Sequence, residues 1–249
     1  MSKNNINEKE LIANICEELY KYCISQIPQI ENNKIIWIMN GSTLCNMLYN
    51  VNKIDRLEIT EEFNKNCFDF IRKPKGDIDI TYVADRPYKF NLDSDVVKRF
   101  QDISEEKRDY NFVDSNSVLS DNDLKEICMM ETKSGFRFYA KKPQCLFLYK
   151  LRELISVFSK DILSNNIDNI VRQNKNIIRD VKCLYKIAVS YCGKDIILDT
   201  LSELPARSAY LYNLYENNNI IYNELINKCL NILNVDYIVD KTTFKKCGI

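Results

Sequence analysis

The sequence predicts an α+β protein in two parts, a mixed α/β part over residues 1–142 and a helical part over residues 143–249. Two patterns support this division. Residues 77–83 alternate strictly along the chain, which is typical of a β-strand with one buried face. From Pro143 onward apolar residues recur at spacings of three and four, which indicates helices. We therefore expect a small mixed sheet with helices in the first part and a helical bundle in the second.

The composition is that of a globular protein and excludes several chemistries. The chain has 249 residues, 45% of them hydrophobic, and 35 basic residues balance 35 acidic ones. Because the sequence has no histidine, it excludes Ser-His-Asp and Cys-His catalysis and the HExxH zinc site. The zero net charge argues against a general nucleic-acid coat, although a local basic patch remains open.

Ten cysteines would suggest metal or disulfide chemistry, but their spacing does not. No CxxC pair occurs, so neither a zinc knuckle nor a thioredoxin-type pair can be drawn. We expect buried, reduced thiols and hence a cytoplasmic protein. Residues 1–9 lack the apolar core of a signal peptide, and no run approaches the roughly 18 apolar residues of a membrane span, so no membrane partner is expected.

The elements of the first part follow from local periodicity. We expect a helix over residues 8–27, a strand over 35–39 that ends at Asn40-Gly41-Ser42, and a helix from Leu44 to Val51. Residues 52–75 are polar with few apolar anchors, which predicts a loop or an insertion. A strand over 77–83, a helix over 93–103 and a strand over 111–118 follow. Segments 124–131 and 136–140 flank Thr132-Lys133-Ser134-Gly135, which predicts a hairpin turn.

The second part is predicted to consist of helices. The apolar spacing places them at Leu146–Val157, Ile167–Tyr191, Leu198–Tyr215 and Ile220–Leu233.

Two aspartates on the strand over 77–83 form the first candidate site. Residues two apart on a strand share a face, so Asp77 and Asp79 project together while Ile78 and Ile80 face the core. Adjacent carboxylates repel unless a cation lies between them, and Mg²⁺ or Mn²⁺ prefers such oxygen ligands. With a third carboxylate they would hold two ions and clamp an in-line phosphoryl displacement. The alternative is a charged solvent-facing strand.

The turn at Gly41 and Ser42 complements this pair. A glycine lets backbone N–H groups approach a phosphate, the start of the following helix favours anions, and Ser42 adds a hydroxyl donor. Either motif alone is weak, since Gly-Ser occurs in many turns. Their order along the chain, each in its expected element, makes the combination more specific.

A hydrophobic strand, a Gly-Ser turn and then Asp-x-Asp resemble the nucleotidyltransferase superfamily that includes DNA polymerase β. Two later segments are similar to AbiEii-type toxin nucleotidyltransferases: Ala140-Lys141-Lys142-Pro143-Gln144-Cys145-Leu146-Phe147-Leu148-Tyr149-Lys150-Leu151-Arg152 and Arg179-Asp180-Val181-Lys182-Cys183-Leu184-Tyr185. The resemblance covers residues 35–190. It implies a nucleotidyltransferase core over residues 1–142 and a helical domain over residues 143–249 that closes the cleft.

The resemblance also implies roles for single residues. Gly41 and Ser42 match the phosphate turn, and Asp77 and Asp79 match the metal ligands, with Asp77 and Asp79 catalytic through the metal. Lys150 matches the nucleotide-contacting lysine, and Asp180 matches an acidic residue that acts as the base. The sequence departs from the family pattern where Lys182 or Cys183 replaces a second acid, and residues 52–72 look like an insertion.

A third metal-binding carboxylate is expected on a strand beside Asp77 and Asp79. No motif fixes it; Glu126 is the first choice, with Asp114 and Glu131 behind it. Lys150 has an alternative interpretation, as a solvated lysine on a helix. Asp180 also has one, as a partner of Lys175, Arg179 or Lys182 on the helix surface.

Two further clusters leave alternatives open. The basic residues Arg72, Lys73 and Lys75 precede the acidic strand and would reach a triphosphate or an RNA backbone, or simply be solvated. Tyr210, Tyr212, Tyr215 and Tyr222 would stack a base or pack a helical core.

The function expected from the resemblance is metal-dependent transfer of a nucleoside monophosphate from an NTP onto an RNA, tRNA or protein acceptor. A toxin with an antitoxin partner, or a phage-defence component, is the matching biological role. Two alternatives remain. One is a small-molecule nucleotidyltransferase of the antibiotic-modifying type, favoured by an acidic cleft wall. The other is a non-catalytic relative that binds a nucleotide or a partner protein, favoured by the lack of a third carboxylate.

Overall fold

The computed structural model describes residues 3–26, 37–76, 78–82, 91, 93–105, 112–116 and 124–234. The chain divides into two compact units, Met1–Lys142 and Pro143–Ile249. The described elements of the first unit are helices and strands, and those of the second are helices. The α+β class predicted from the sequence is therefore confirmed.

The first unit alternates helices with seven strands among its described residues. Its elements are α1 (Lys3–Ser25), β1 (Trp37–Met39), α2 (Gly41–Met47), β2 (Val51–Ile54), β3 (Leu57–Glu58), α3 (Glu61–Phe70), β4 (Ile78–Tyr82), α4 (Asp95–Ile103), β5 (Phe112–Asn116), β6 (Ile127–Thr132) and β7 (Arg137–Lys141). A 3-10 turn over Leu48–Asn50 links α2 to β2. The strands predicted over 35–39, 77–83 and 111–118 are confirmed over the described residues 37–39, 78–82 and 112–116, and the hairpin over 124–140 is confirmed as β6 and β7. The remaining positions of the three predicted strands lie outside the described residues.

The strands form one mixed sheet with the order β3-β2-β6-β7-β1-β4-β5. β1 is parallel to β7 and β4 is parallel to β5, whereas the other pairs are antiparallel. One face of this sheet is core: Met130, Phe138 and Ala140 are buried on β6 and β7. The residues that alternate with them face the other way. We call that side the outer face, and it carries Met129, Glu131, Arg137, Tyr139 and Lys141.

The prediction of a loop over residues 52–75 is wrong, whereas that of an insertion relative to the family pattern stays a prediction. This segment contains β2, β3 and the ten-residue helix α3. Phe63, Cys67 and Phe70 are buried at spacings of four and three, which is the spacing of one helix face. Thr60 begins the helix, because its side chain accepts a hydrogen bond from the N–H of Phe63. Few apolar residues are thus enough to bury one face of a short helix.

The second unit consists of helices in its described residues. They are α5 (Pro143–Leu163), α6 (Ile167–Gln173), α7 (Ile177–Cys192), α8 (Lys194–Leu201), α9 (Ala209–Asn217) and α10 (Asn219–Ile232). α5 is the central helix, since it packs against α6, α7, α8 and α10.

Two helices predicted as continuous are broken. The segment 167–191 is interrupted at Asn174, which has φ −146° and ψ 87° and ends α6. The segment 198–215 is interrupted by a 3-10 turn over Pro205–Arg207. Proline has no N–H to donate and clashes with the preceding helical turn, so a helix cannot run through it unbroken.

The described cysteines are used as small apolar residues. None of the nine forms a disulfide bond, and seven of them are buried. Burial raises the pKa of Cys16, Cys23 and Cys229 to about 12, which keeps these thiols protonated at neutral pH. Among the helices that the structure describes, none has both the length and the apolar character that crossing a membrane requires.

Candidate functional site

The turn after β1 has the backbone geometry that a phosphate turn needs. Gly41 has φ +71°, in the left-handed region that favours glycine. The preceding Asn40 is extended, with φ −146°, and its carbonyl accepts a hydrogen bond of 3.1 Å from the buried hydroxyl of Tyr20 on α1. From Thr43 to Met47 every residue of α2 is buried. The turn is therefore held from the core side, while Ser42 keeps part of its surface exposed.

The acidic strand begins beside this turn. β1 and β4 are antiparallel, and Met39 is paired with Ile80. Continuing the register by one residue pairs position 79 with position 40, so the start of β4 lies next to the Gly41-Ser42 turn. Asp77 lies outside the described residues, and for Asp79 the backbone alone is described. The register thus brings the two predicted motifs to the same end of neighbouring strands.

Two of the three candidates for a third carboxylate, Glu126 and Glu131, do not lie on a strand beside Asp79. Glu126 precedes β6, which β7 and β1 separate from β4 in the sheet, so it is not on a strand beside Asp79. Its carboxylate instead accepts a hydrogen bond of 2.7 Å from Nζ of Lys141. Glu131 on β6 is likewise paired, with its Oε2 at 2.5 Å from Nε of Arg137.

Asp114 is on the neighbouring strand but at the alternate register position. β5 pairs with β4, with Asp114 opposite Ile80 and Val113 opposite Asp79. Because paired residues share a face of a sheet, positions 80 and 114 belong to one face and position 79 to the other. The register therefore does not supply Asp114 as a partner for Asp79. Among the side chains that the structure describes, no group of three His, Cys, Asp or Glu residues is arranged to hold a metal ion.

Lys141 lies near the candidate site, although the sequence did not single it out. It ends β7, the strand next to β1, and it belongs to the outer face. The last pair between β1 and β7 is Met39 with Ala140, and carrying this register one residue further puts Lys141 level with Asn40, on the side of β1 opposite β4. Its alternation with the buried Phe138 and Ala140 is visible in the sequence, but the parallel pairing of β7 with β1 is not.

The basic segment Arg72–Lys75 is fixed through its backbone. Asn46 on α2 donates to the carbonyl of Arg72 at 2.9 Å and accepts from its N–H at 3.1 Å. The carbonyl of Pro74 accepts a hydrogen bond of 2.8 Å from the N–H of Glu105. The segment therefore follows a defined path from α3 toward β4. Contact of its side chains with a phosphate stays a prediction.

Lys150 and Asp180 belong to the second unit. Lys150 lies on α5, and its Nζ is 2.6 Å from Oε2 of Glu153, one turn along the helix. Asp180 is in the first turn of α7 and only 3% exposed. This burial argues against a position of Asp180 on the surface of the helix, while its pairing with Lys175, Arg179 or Lys182 stays a prediction. Burying a carboxylate costs free energy unless polar groups pair with it. The burial of Asp180 therefore indicates that polar partners hold it on α7.

The tyrosines of the second unit separate into two kinds. The rings of Tyr215 and Tyr222 meet edge to face with centroids 5.4 Å apart, and Tyr222 is fully buried. Burial raises the pKa of the Tyr222 hydroxyl, as expected for a core residue. Tyr210 and Tyr212 are exposed on α9. The packing interpretation therefore holds for Tyr215 and Tyr222.

A separate cavity of about 710 Å³ opens at the β2–β3 end of the sheet. Its lining carries the cations Lys53, Arg56 and Arg137. Two of them are paired, Lys53 with Glu58 at 3.2 Å and Arg137 with Glu131 at 2.5 Å. Of the predicted site residues, the described lining includes Glu131 but none of Gly41, Ser42 or Lys150, so this cavity is not the predicted nucleotide site.

Comparisons of the chain with protein-family models, with curated proteins and with solved structures found no match. The resemblance to nucleotidyltransferases therefore rests on the motif residues and on the register that relates them.

Proposed function

We propose that this protein is a nucleotidyltransferase that moves a nucleoside monophosphate from an NTP onto an acceptor. The observation that carries the proposal is the β1–β4 register, in which a Gly-Ser turn with a left-handed glycine ends one strand beside the start of the Asp-x-Asp strand. Phosphate-binding N–H groups and paired carboxylates next to each other suit an NTP with its divalent cation.

In this proposal Gly41 and Ser42 bind the β- and γ-phosphates, through backbone N–H groups and a hydroxyl. Asp77 and Asp79 hold Mg²⁺ or Mn²⁺; two carboxylates suit such a hard cation, which would offset the charge that develops on the phosphates. Lys150 steadies the nucleotide. Asp180 takes the proton of the acceptor as it attacks the α-phosphorus and pyrophosphate leaves, so no histidine is needed.

The proposed acceptor is an RNA, a tRNA or a protein. A toxin paired with an antitoxin protein, or a component of phage defence, is the role that the resemblance to AbiEii-type proteins suggests. This part of the proposal depends on analogy, and the identity of the neighbouring gene would test it directly.

The decisive experiment is the double substitution Asp77→Asn and Asp79→Asn. With labelled NTPs, Mg²⁺ and bulk cellular RNA or protein, transfer should fall about 1,000-fold or more, since charge stabilisation by a metal contributes several kcal/mol. Asp102→Asn, an exposed carboxylate on α4, is the matched control and should transfer at the wild-type rate. Transfer at the wild-type rate by the double variant would contradict the assignment of the protein as a nucleotidyltransferase that uses Asp77 and Asp79.

One observation favours a second candidate, a non-catalytic relative that binds a nucleotide or a partner. Glu126 and Glu131 are engaged by Lys141 and Arg137, and Asp114 has the alternate register position, so none of these three candidates is placed as a third carboxylate by the part of the chain that the structure describes. Binding of NTP with Mg²⁺, but no transfer to any acceptor fraction, would support this candidate over the enzyme.

A further inference from the structure

Three neighbouring strands present one row of positions at the level of the Gly41-Ser42 turn. Met39 is paired with Ile80 on one side and with Ala140 on the other, so the next row along consists of positions 79, 40 and 141. Adjacent strands are about 4.8 Å apart, so the backbones at positions 79 and 141 flank that of Asn40, the residue before the turn, at that spacing on either side. Both belong to the outer face by alternation, since Ile80 and Ala140 are buried.

Lys141 is held in this row by a partly buried ion pair. Its side chain is 18% exposed and that of Glu126 is 23% exposed, with Nζ and Oε2 2.7 Å apart. The backbone fixes Glu126 as well, because its carbonyl accepts a hydrogen bond of 2.9 Å from the N–H of Lys142. The carboxylate therefore orients the ammonium group at the end of β7 instead of leaving it to sample solvent.

We infer that Lys141 binds the triphosphate of the NTP from the side of the turn opposite the aspartates, and that Glu126 is its positioning residue. This inference rests on the proposed function. A lysine ammonium is a compact charge that binds phosphate, and the turn N–H groups reach the same phosphates from their own strand end. The inference gives Glu126 a role that differs from the metal ligand expected from the sequence. Its carboxylate orients the ammonium group of Lys141 and does not bind the metal ion.

The experiment compares Lys141→Ala with Lys142→Ala, the adjacent lysine, whose described contact with Glu126 uses only the backbone. Calorimetric titration with each of the four NTPs and Mg²⁺ should give an affinity that is roughly 10- to 100-fold weaker in Lys141→Ala and nearly unchanged in Lys142→Ala, the range expected for a hydrogen bond to a charged group. Affinity for the corresponding nucleosides, which carry no phosphate, should not change in either. Lys141→Arg, which keeps the charge, should retain most of the NTP affinity.

Lys141→Gln serves if Lys141→Ala does not fold, because an amide still donates to Glu126 without the charge. Glu126→Gln should weaken NTP binding yet leave the Mg²⁺ concentration needed for half-maximal binding unchanged; a higher Mg²⁺ requirement would make Glu126 a metal ligand and overturn its role here. Wild-type protein that binds no NTP would overturn the proposed function and this inference together. If wild type binds NTP and both Lys141→Ala and Lys141→Gln bind it with the same affinity, the inference on Lys141 is overturned but the proposed function is not.

Discussion

Glu17 on α1 is a buried carboxylate with a complete set of donors. It is 6% exposed, and Ser134, Asn50 and Thr132 donate to it at 2.5, 2.7 and 3.0 Å. Lys21, one turn along the helix, lies at 2.7 Å. Burial alone would raise the pKa of Glu17, but the hydrogen bonds from Lys21 and these three residues outweigh burial and lower the pKa. The carboxylate thus ties α1 to the β6–β7 turn and to the 3-10 turn before β2.

The lowered pKa predicts a pH dependence of stability. A group whose folded-state pKa lies below its unfolded value adds stability above the unfolded value, about 4.3 for Glu, and loses that stability as pH falls through the folded pKa. The free energy of unfolding, measured in urea, should therefore fall more steeply below about pH 4.3 for wild type than for Glu17→Gln. At pH 7 we expect Glu17→Gln to be about 1–3 kcal/mol less stable than wild type. Glu18→Gln, on the exposed side of α1, is the control. Parallel pH profiles for wild type and Glu17→Gln would contradict the role assigned to this carboxylate.

At the residue scale, the sequence predicts the chemistry of single positions better than their partners. The sequence predicts a turn at Gly41 that lets the backbone approach a phosphate, and the φ of +71° at this residue is one that glycine adopts readily. That Glu126 would meet Lys141 could not be predicted, because their contact depends on strand ends 15 residues apart folding into the β6–β7 hairpin in one register.

At the level of elements, α3 illustrates why the sequence predicts a loop over residues 52–75. Its buried side chains are only Phe63, Cys67 and Phe70, so the hydrophobic signal is sparse. The local signals were nevertheless present: Thr60 as the capping residue and Glu61 and Glu62 in the first turn. The sequence does not predict the strands β2 and β3 for another reason: they are four and two residues long, and they depend on pairing, β2 with β6 and β3 with β2.

The cap of α3 allows a direct test. Oγ1 of Thr60 accepts a hydrogen bond of 3.1 Å from the N–H of Phe63, and Thr60→Ala would leave that donor unsatisfied. We expect a loss of about 1 kcal/mol in the free energy of unfolding, measured in urea. Thr60→Ser keeps the hydroxyl and should stay close to wild type. Equal losses in the two variants would mean that the methyl group, not the cap, matters at this position.

On the scale of the whole molecule, the zero net charge does not describe how the charged residues are distributed locally. The first unit carries the Asp-x-Asp strand on one side of the Gly41-Ser42 turn and Lys141 on the other, so opposite charges flank the proposed phosphate position. Opposite charges cancel in the net charge of the chain, yet their arrangement determines which ligand the site favours. The absence of histidine agrees with this picture, because a metal held by carboxylates stabilises phosphate charge without a titrating imidazole.

Ligand-linked stability tests the proposed site in the intact chain. A ligand that binds only the folded state, at 100 times its dissociation constant, adds about 2.7 kcal/mol, which raises the Tm of a chain of this size by about 5–10 °C. We expect this rise for wild type with NTP and Mg²⁺, and a smaller one for Ser42→Ala, whose hydroxyl would contact the phosphates. Ser156→Ala, an exposed serine on α5, should keep the full rise. Because the substitution at position 42 should leave the Tm without ligand unchanged, a lower Tm of the unliganded Ser42→Ala protein would show that Ser42 supports the turn itself. An equal rise in all three proteins would remove Ser42 from the site.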